Sequence, residues 1–333
     1  MKKIIGLISI IFILFFLPLN AHSADTKKYQ FPGILFLTSP DSGKIIYVDL
    51  MDLTMVYNTP TKGTPFEIAY NNKTLYISDF AKNKIYELMT FNPLINTSIL
   101  KFNEFQLPTM SNPVLVKFFD DKMYVLNSLS NDISVFLLPS KEHLYSAGPL
   151  PNPIAFIFLK KTNQLAITCP STNTLVLLND NNFSKRKDIK IEGSPEKIVS
   201  SIDGEHAYIT LRNKKAILKF NHVLGKEINE IPVGDTPVSL VESYDGKYLY
   251  VANGKSNDIS IVDLSKNKVI DTINLPIETQ FPGQIVLTKD GKWLIVPSET
   301  TNTVSFIDLN SKSVTVKLDV GATTHGSLIV DRE

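Results

Sequence analysis

The stretch Asp245-Gly-Lys-Tyr-Leu-Tyr-Val-Ala-Asn253, followed by Asn257-Asp-Ile-Ser-Ile-Val-Asp-Leu264, decides the fold of this 333-residue chain. Its pattern of an apolar run, a polar end residue and a tight turn returns at intervals of roughly 40 to 48 residues, which indicates a repeat architecture. The residues that end the run are Ser39, Asp79, Asn127, Cys169, Leu211, Asn253 and Ser298. Four positions later, every copy except one has Gly or Asn. These residues tolerate positive φ, so one loop geometry is predicted to recur.

Each copy divides into four short runs separated by turn residues. In the sixth copy the runs are Pro237 to Ser243, Tyr248 to Asn253, Asp258 to Leu264 and Val269 to Leu275. Runs of this length, rich in Val, Ile, Tyr and Thr, are typical of strands joined by hairpins. Four strands per repeat of this length predict the blade of a β-propeller. The near-continuous apolar character of the runs fits blades that are covered on both faces.

The two ends of the chain carry partial copies that add to one whole. The first copy opens on its second strand at Gly33, whereas the last fragment, Thr324 to Val330, matches only a first strand. We therefore predict an all-β, seven-bladed propeller with four antiparallel strands per blade, closed by the C-terminal strand. Residues 24–333 are expected to form this single domain, with blade 1 built from about 33–60 plus 322–333. Closure of this kind leaves no open edge strand.

The motif Tyr250-Val251-Ala252-Asn253, preceded by Asp245-Gly246, resembles the YVTN-type β-propeller repeat of many bacterial and archaeal secreted or surface proteins. The resemblance extends over nearly all of residues 24–333 and is degraded in the first four copies. Its motif residues set strand ends and turns, so it implies a fold and no active site. Propellers related to this family include lactonases and a cytochrome domain that holds d1 haem.

The N-terminal segment is typical of an export signal. Lys2-Lys3 precede an apolar run from Ile4 to Leu17 and small residues near Ala21-His22-Ser23. We expect residues 1–23 to be a cleaved signal peptide, which predicts a periplasmic or extracellular protein with no stable membrane span. An uncleaved anchor is the alternative, although the run is shorter than the roughly 20 residues of a spanning helix. Without Lys2 and Lys3 the chain has 34 − 2 = 32 basic and 33 acidic residues. This balance argues against nucleic acid as a partner.

Candidate binding residues are expected on the rim where the loops between second and third strands meet the loops between blades. They are Asp79, Asn127, Cys169, Asn253, Glu299 and His325. Cys169, the one cysteine, is either a nucleophile or metal ligand, or a half-buried small residue. His325 is either a metal ligand or a base at the channel mouth, and no other metal site is expected. Because Cys169 belongs to blade 4 and His325 to blade 1, the two are not expected to act as a pair.

Two hypotheses about function remain open. The chain contains no HExxH, CxxC, CxxCH, GxSxG or glycine-rich phosphate motif, so no catalytic residue and no cofactor is indicated. We favour a monomeric, non-catalytic binding or scaffold protein that holds a protein, a small ligand or a surface polymer at the channel rim. The alternative is a lactonase, lyase or haem-related propeller with a site at the channel mouth, built on His325 with Glu299 or Cys169.

Overall fold

The computed structural model describes residues 33–53, 56–89, 102–179 and 182–331. Within these ranges the regular structure is almost entirely strand, with short 3-10 turns at Pro170–Thr172 and Arg212–Lys214. The predicted signal peptide at residues 1–23 lies outside the described residues. Among the residues that are described, no helix has the length and apolar character needed to cross a membrane.

The strands form seven four-stranded antiparallel sheets, one per predicted blade. From the channel outward, blades 1 to 3 contain β28 (Ser327–Val330), β1 (Ile34–Ser39), β2 (Lys44–Asp49), β3 (Val56–Pro60); β4 (Pro65–Asn71), β5 (Thr74–Asp79), β6 (Lys84–Met89), β7 (Asn103–Gln106); β8 (Pro113–Phe119), β9 (Lys122–Asn127), β10 (Asp132–Leu137), β11 (Glu142–Ala147).

Blades 4 to 7 repeat this order with no missing strand. They contain β12 (Ala155–Leu159), β13 (Gln164–Cys169), β14 (Thr174–Asn179), β15 (Arg186–Lys190); β16 (Pro195–Ser200), β17 (His206–Leu211), β18 (Ala216–Asn221), β19 (Lys226–Pro232); β20 (Pro237–Glu242), β21 (Tyr248–Asn253), β22 (Asp258–Asp263), β23 (Lys268–Asn274); β24 (Val286–Leu287), β25 (Trp293–Pro297), β26 (Thr303–Asp308), β27 (Ser313–Asp319). The predicted seven-bladed fold is therefore confirmed.

Blade 1 is assembled from both ends of the chain, as predicted. Strand β28 pairs with β1 in antiparallel register from Ile34 opposite Val330 to Leu37 opposite Ser327. Just beyond this register, the His325 N–H donates to the Thr38 carbonyl at 2.9 Å. The C-terminal strand thus supplies the innermost strand of the blade, and closure of the ring places His325 at the channel.

The hydrophobic core lies between the blades. In the part of the chain that the structure describes, the buried apolar side chains fall into seven clusters, each joining two neighbouring blades. Strand β21 shows why: Leu249 and Val251 pack toward blade 5, while Tyr250 and Ala252 pack toward blade 7. Both faces of the strand are buried, which explains the continuous apolar runs of the sequence.

The recurring turn after the second strand has the predicted backbone conformation in blades 1 to 6, but not in blade 7, where Asn302 lacks positive φ. Its fourth residue has positive φ in six blades: Gly43, Asn83, Asn131, Asn173, Lys215 and Asn257. All four asparagines in this set have a further role, because the side-chain carbonyl accepts an N–H from the loop that enters the next blade. Asn257 Oδ1 accepts from Phe281 at 3.1 Å, and Asn131 Oδ1 accepts from Asn152 at 2.8 Å. The turn therefore fixes the inter-blade loop that lies on the same rim.

Candidate functional site

The loop-bearing rim surrounds an upper layer of side chains at the mouth of the central channel. The register of each first strand against its second strand places seven residues at one height, and these are Phe66, Val114, Ile154, Glu196, Val238, Gly283 and His325. Five of the seven are apolar or glycine. The polar exceptions are Glu196 and His325, and these are the residues of this layer whose side chains can take part in acid–base chemistry.

His325 and Glu299 meet at this mouth. Nδ1 of His325 lies 3.5 Å from Oε1 of Glu299, and the side chains are 28% and 31% exposed. A carboxylate beside one ring nitrogen favours the tautomer that carries the proton there. Nε2 is then the nitrogen that can accept a proton from a bound molecule. Both residues were predicted as rim residues, and the structure brings them together.

The position of Glu299 is set by the turn that carries it and by a glycine in the segment that leads into β24. Its N–H donates to the Phe281 carbonyl at 3.0 Å, which ties the turn to the inter-blade loop. A Cβ on Gly283 would lie 3.0 Å from Glu299 Cγ, so a side chain there would crowd the carboxylate stem. Because residue 283 has no side chain, the Glu299 side chain can extend past it toward His325.

An aromatic wall supports the imidazole. The Phe66 ring lies against His325 with centroids 4.0 Å apart and an angle of 33° between the ring planes. Phe80 continues this wall, with its ring centroid 5.6 Å from that of Phe66. The adjacent Phe66 ring limits rotation of His325 and offers an apolar surface to a ligand at the mouth. Phe66 was not singled out from the sequence, because a phenylalanine in an inner strand looks like any other core residue.

A second charged pair lies at the same height on blade 5. Arg212 Nη1 donates to both carboxylate oxygens of Glu196, at 3.1 and 3.2 Å. Blade 5 is separated from blades 1 and 7 by at least one blade on either side. One side of the mouth is therefore formed by His325 and Glu299, and another by the ion pair of Glu196 and Arg212.

An ion pair across the channel forms the floor of this mouth. Lys197 Nζ lies 3.0 Å from Oε1 of Glu67, and the two side chains are 31% and 4% exposed. Glu67 belongs to blade 2 and Lys197 to blade 5, which are not neighbours in the ring. The pair must therefore cross the channel, and it lies below the layer of residues at the mouth.

Asp79, a predicted rim residue, is buried inside its turn. Its carboxylate accepts hydrogen bonds from the Tyr86 hydroxyl at 2.7 Å and from the N–H groups of Thr64 and Lys82 at 3.1 and 3.0 Å. Burial, followed by the hydrogen bond to Asp79, raises the pKa of Tyr86. These contacts occupy the oxygens of Asp79 with its own blade.

Asn127 and Asn253 are buried in the same way. Asn253 Nδ2 donates to Asp258 Oδ1 at 2.6 Å and to Ser260 Oγ at 2.8 Å. Asn127 repeats the arrangement, with Asp132 Oδ1 at 2.7 Å. The sequence places these residues correctly at strand ends beside the rim, but the structure turns their side chains into the blade, where they hold the hairpin.

Cys169 is fully buried at the end of β13. Burial raises the pKa of its thiol to about 12, and the nearby Arg186 guanidinium offsets only part of this effect. A thiol in such surroundings is protonated at neutral pH and is a poor nucleophile. Of the two readings of Cys169, the structure matches the small buried residue. Among the described residues, no three His, Cys, Asp or Glu side chains are grouped to hold a metal ion.

The comparison with protein families places the His325 and Glu299 pair in a matched segment. A family model for lactonases with a seven-bladed β-propeller matches residues 233–328, which cover blades 6 and 7 and the start of β28. A search of curated proteins gave no match.

Solved structures share the fold at low sequence identity. A proposed 6-phosphogluconolactonase from Bacteroides fragilis has a TM-score of 0.71 and 17% identity, covering 93% of this chain and 100% of its own. A functionally unknown protein from Desulfotomaculum acetoxidans has a TM-score of 0.76 and 12% identity, covering 90% and 100%. A catalytically inactive histidine-to-alanine variant of virginiamycin B lyase from Staphylococcus aureus, with quinupristin, has a TM-score of 0.67 and 14% identity, covering 89% and 95%. At these identities the likeness establishes the propeller alone.

Proposed function

We propose that this propeller is a hydrolase of small lactones, with its site at the channel mouth and His325 as the general base. The observation that carries the proposal is the 3.5 Å approach of Glu299 to His325 at the open end of the channel. Both residues lie within the segment that the lactonase family model matches. This proposal takes up the enzyme alternative of the sequence analysis in preference to a non-catalytic binding protein.

The reaction follows from the orientation of the imidazole. Nδ1 of His325 faces Glu299, so Nε2 is free to take a proton from water as that water attacks the lactone carbonyl. The ring C–O bond then breaks, and the imidazolium returns the proton to the alkoxide that leaves. Glu299 acts as a positioning residue, because its carboxylate stabilises the imidazolium formed in the first step.

The walls of the mouth define the kind of substrate. Phe66 and Phe80 offer an apolar surface beside His325. The Glu67 and Lys197 pair crosses the channel below these rings, so we place the substrate above it. We propose that the substrate is a lactone with an apolar ring or a short apolar side chain. The predicted signal peptide would bring the protein to this substrate outside the cytoplasm.

A lactone panel tests the proposal. Purified protein is assayed by acid release against five- and six-membered lactones, together with His325→Ala and the control His206→Ala. His206 also faces a carboxylate, with Nδ1 2.6 Å from Asp203 Oδ2, but it lies at the opposite end of its strand from the rim. We expect turnover in the wild type and in the control, and a loss of about 100-fold or more in His325→Ala.

Two outcomes would overturn the proposal. One is equal activity in His325→Ala and the wild type, or no turnover of any lactone. The other is a product whose mass equals that of the substrate, because hydrolysis adds one water whereas elimination adds none.

A further inference from the structure

The lower channel holds a chamber that the proposed lactone site does not use. Its volume is about 350 Å³, and its wall is mainly apolar, including Leu115, Ile198, Val241 and Leu328. Lys197, whose ammonium is paired with Glu67 across the channel, lines the chamber on the side of the loop-bearing rim. Tyr244, which is 58% exposed, marks its outer end.

Two lysines line this chamber, Lys117 and Lys197, and the amine of Lys197 is paired with Glu67. Lys117 stands on the inner strand of blade 3, two residues further from the rim than the position equivalent to Lys197. Its Nζ donates to the Phe156 carbonyl at 2.8 Å and lies 5.6 Å from the centroid of the Phe156 ring. Within the described part of the chain no carboxylate contacts it, since Glu67 is paired with Lys197.

The surroundings of Lys117 are those that make a lysine nucleophilic. A lysine gains reactivity when it is desolvated in a hydrophobic pocket, and Lys117 is partly buried against the apolar wall of the chamber. Burial and then the charge of Lys197 lower the pKa of Lys117 from 10.5 to about 8, with Glu67 acting in the opposite direction. Because the folded pKa is lowered, the uncharged fraction of the amine rises as the pH increases through about 8, and an exposed lysine is still charged there.

We propose that Lys117 forms a reversible imine with a small, mainly apolar aldehyde or ketone that enters the lower chamber. The lone pair of Nζ attacks the carbonyl carbon, the carbonyl oxygen leaves as water, and a C=N bond replaces the C=O bond. Both hydrogens of the neutral amine leave with that oxygen, so the condensation needs no oxidant or reductant. The apolar wall holds the carbon skeleton of the ligand, and the cavity volume restricts it to a small molecule.

Trapping with two carbonyl probes tests the proposal on the purified protein. Butyraldehyde forms the imine, and cyanoborohydride reduces that imine to a stable secondary amine. Peptide mass spectrometry then identifies the modified lysine. 2,4-Pentanedione gives a conjugated enaminone whose near-ultraviolet absorbance follows the rate. At pH 7.5 we expect Lys117 to react at least about tenfold faster than any exposed lysine, because a far larger fraction of it is uncharged.

Two variants and one pH series complete the experiment. Lys117→Met should remove the fast phase, whereas Lys289→Met should leave it unchanged, because Lys289 is 78% exposed and paired with Asp331. The rate of the fast phase should rise between pH 7 and 9 and then level off. Labelling that is spread evenly over the surface lysines, or a labelling rate of Lys117 among the slowest of all lysines, would overturn the proposal. Peptide mapping of the labelled wild-type protein decides this even if Lys117→Met fails to fold. Lactone turnover does not depend on Lys117, so the two proposals fail separately.

Discussion

Breaking the ion pair that crosses the channel should destabilise the ring by an amount that the structure lets us calculate. The perturbation is a double-mutant cycle of Glu67→Gln, Lys197→Met and both together. At 3.0 Å, the Coulomb energy of the pair is about 5.5 kcal/mol for an effective dielectric constant of 20 and about 1.4 kcal/mol for that of water. Glu67 is 4% exposed and Lys197 31%, so the value lies between these limits. We expect a coupling free energy of about 3 kcal/mol.

Urea unfolding at pH 7, followed by fluorescence of the chain's one tryptophan, measures this coupling. Each single variant should lose about 2 to 4 kcal/mol, because the remaining charge is left in the channel without its partner. The double variant should lose less than the sum of the single variants, since it leaves no unpaired charge.

The exposed pair Lys289 and Asp331 is the matched control. Its atoms are 2.7 Å apart, closer than in the channel pair, but the side chains are 78% and 45% exposed. Solvent screening should reduce its coupling to less than about 1 kcal/mol. A coupling between Glu67 and Lys197 no larger than that of this control would refute the reasoning, because the channel pair would then gain nothing from its buried position.

Two further predictions concern the turn and the closure of the ring. A Cβ on Gly63 would lie 1.7 Å from Asp79 Oδ2, so Gly63→Ala should break the hydrogen bonds of Asp79 and cost about 3 kcal/mol in urea unfolding. An added Cβ on Gly321 meets nothing within 4 Å, so Gly321→Ala should lose only the about 1 to 2 kcal/mol that alanine costs at a φ of +74°. Equal losses in the two variants would contradict this. Deletion of residues 322–333 removes β28 and exposes the edge of β1, so the Tm should fall by about 10 °C or more, whereas deletion of 332–333 alone should leave it unchanged; a stable truncated protein would contradict closure.

Most of the fold could be predicted from the sequence because its signals are local. The end residue of each second strand and the Gly or Asn four positions later fix the hairpins, and Asn253 and Asn257 perform these roles as the repeat indicates. The two partial copies at the chain ends predict the hybrid blade, since the phase of the repeat at Thr324 is that of a first strand. These inferences need no knowledge of how the blades face one another.

The direction of the side chains could not be predicted in the same way. Asp79, Asn127 and Asn253 were expected at the rim, and they lie beside it, but their polar groups turn into the hairpin that they stabilise. Cys169 stands at the equivalent position and is buried between blades 3 and 4. A repeat gives the position of a residue along a strand, whereas burial depends on the neighbouring blade.

Contacts across the channel were also beyond the sequence, because they join blades far apart in the chain. Glu67 and Lys197 are separated by 130 residues, and their pairing depends on closure of the whole ring. A signal was nevertheless present, since Glu67, Lys117 and Lys197 interrupt inner strands that are otherwise largely apolar. His325 and Glu299 were each predicted as rim residues, but their proximity depends on the small size of Gly283.

The most direct test of the proposed site is a kinetic cycle on the best lactone of the panel. The kcat/KM is measured for the wild type, His325→Gln, Glu299→Gln and the double variant. His325→Gln should lower kcat/KM by about 10²-fold or more, and Glu299→Gln should lower it by less. If Glu299 acts through His325, the kcat/KM of the double variant should match that of His325→Gln. Losses that multiply in the double variant, or a Glu299→Gln enzyme as active as the wild type, would contradict the account.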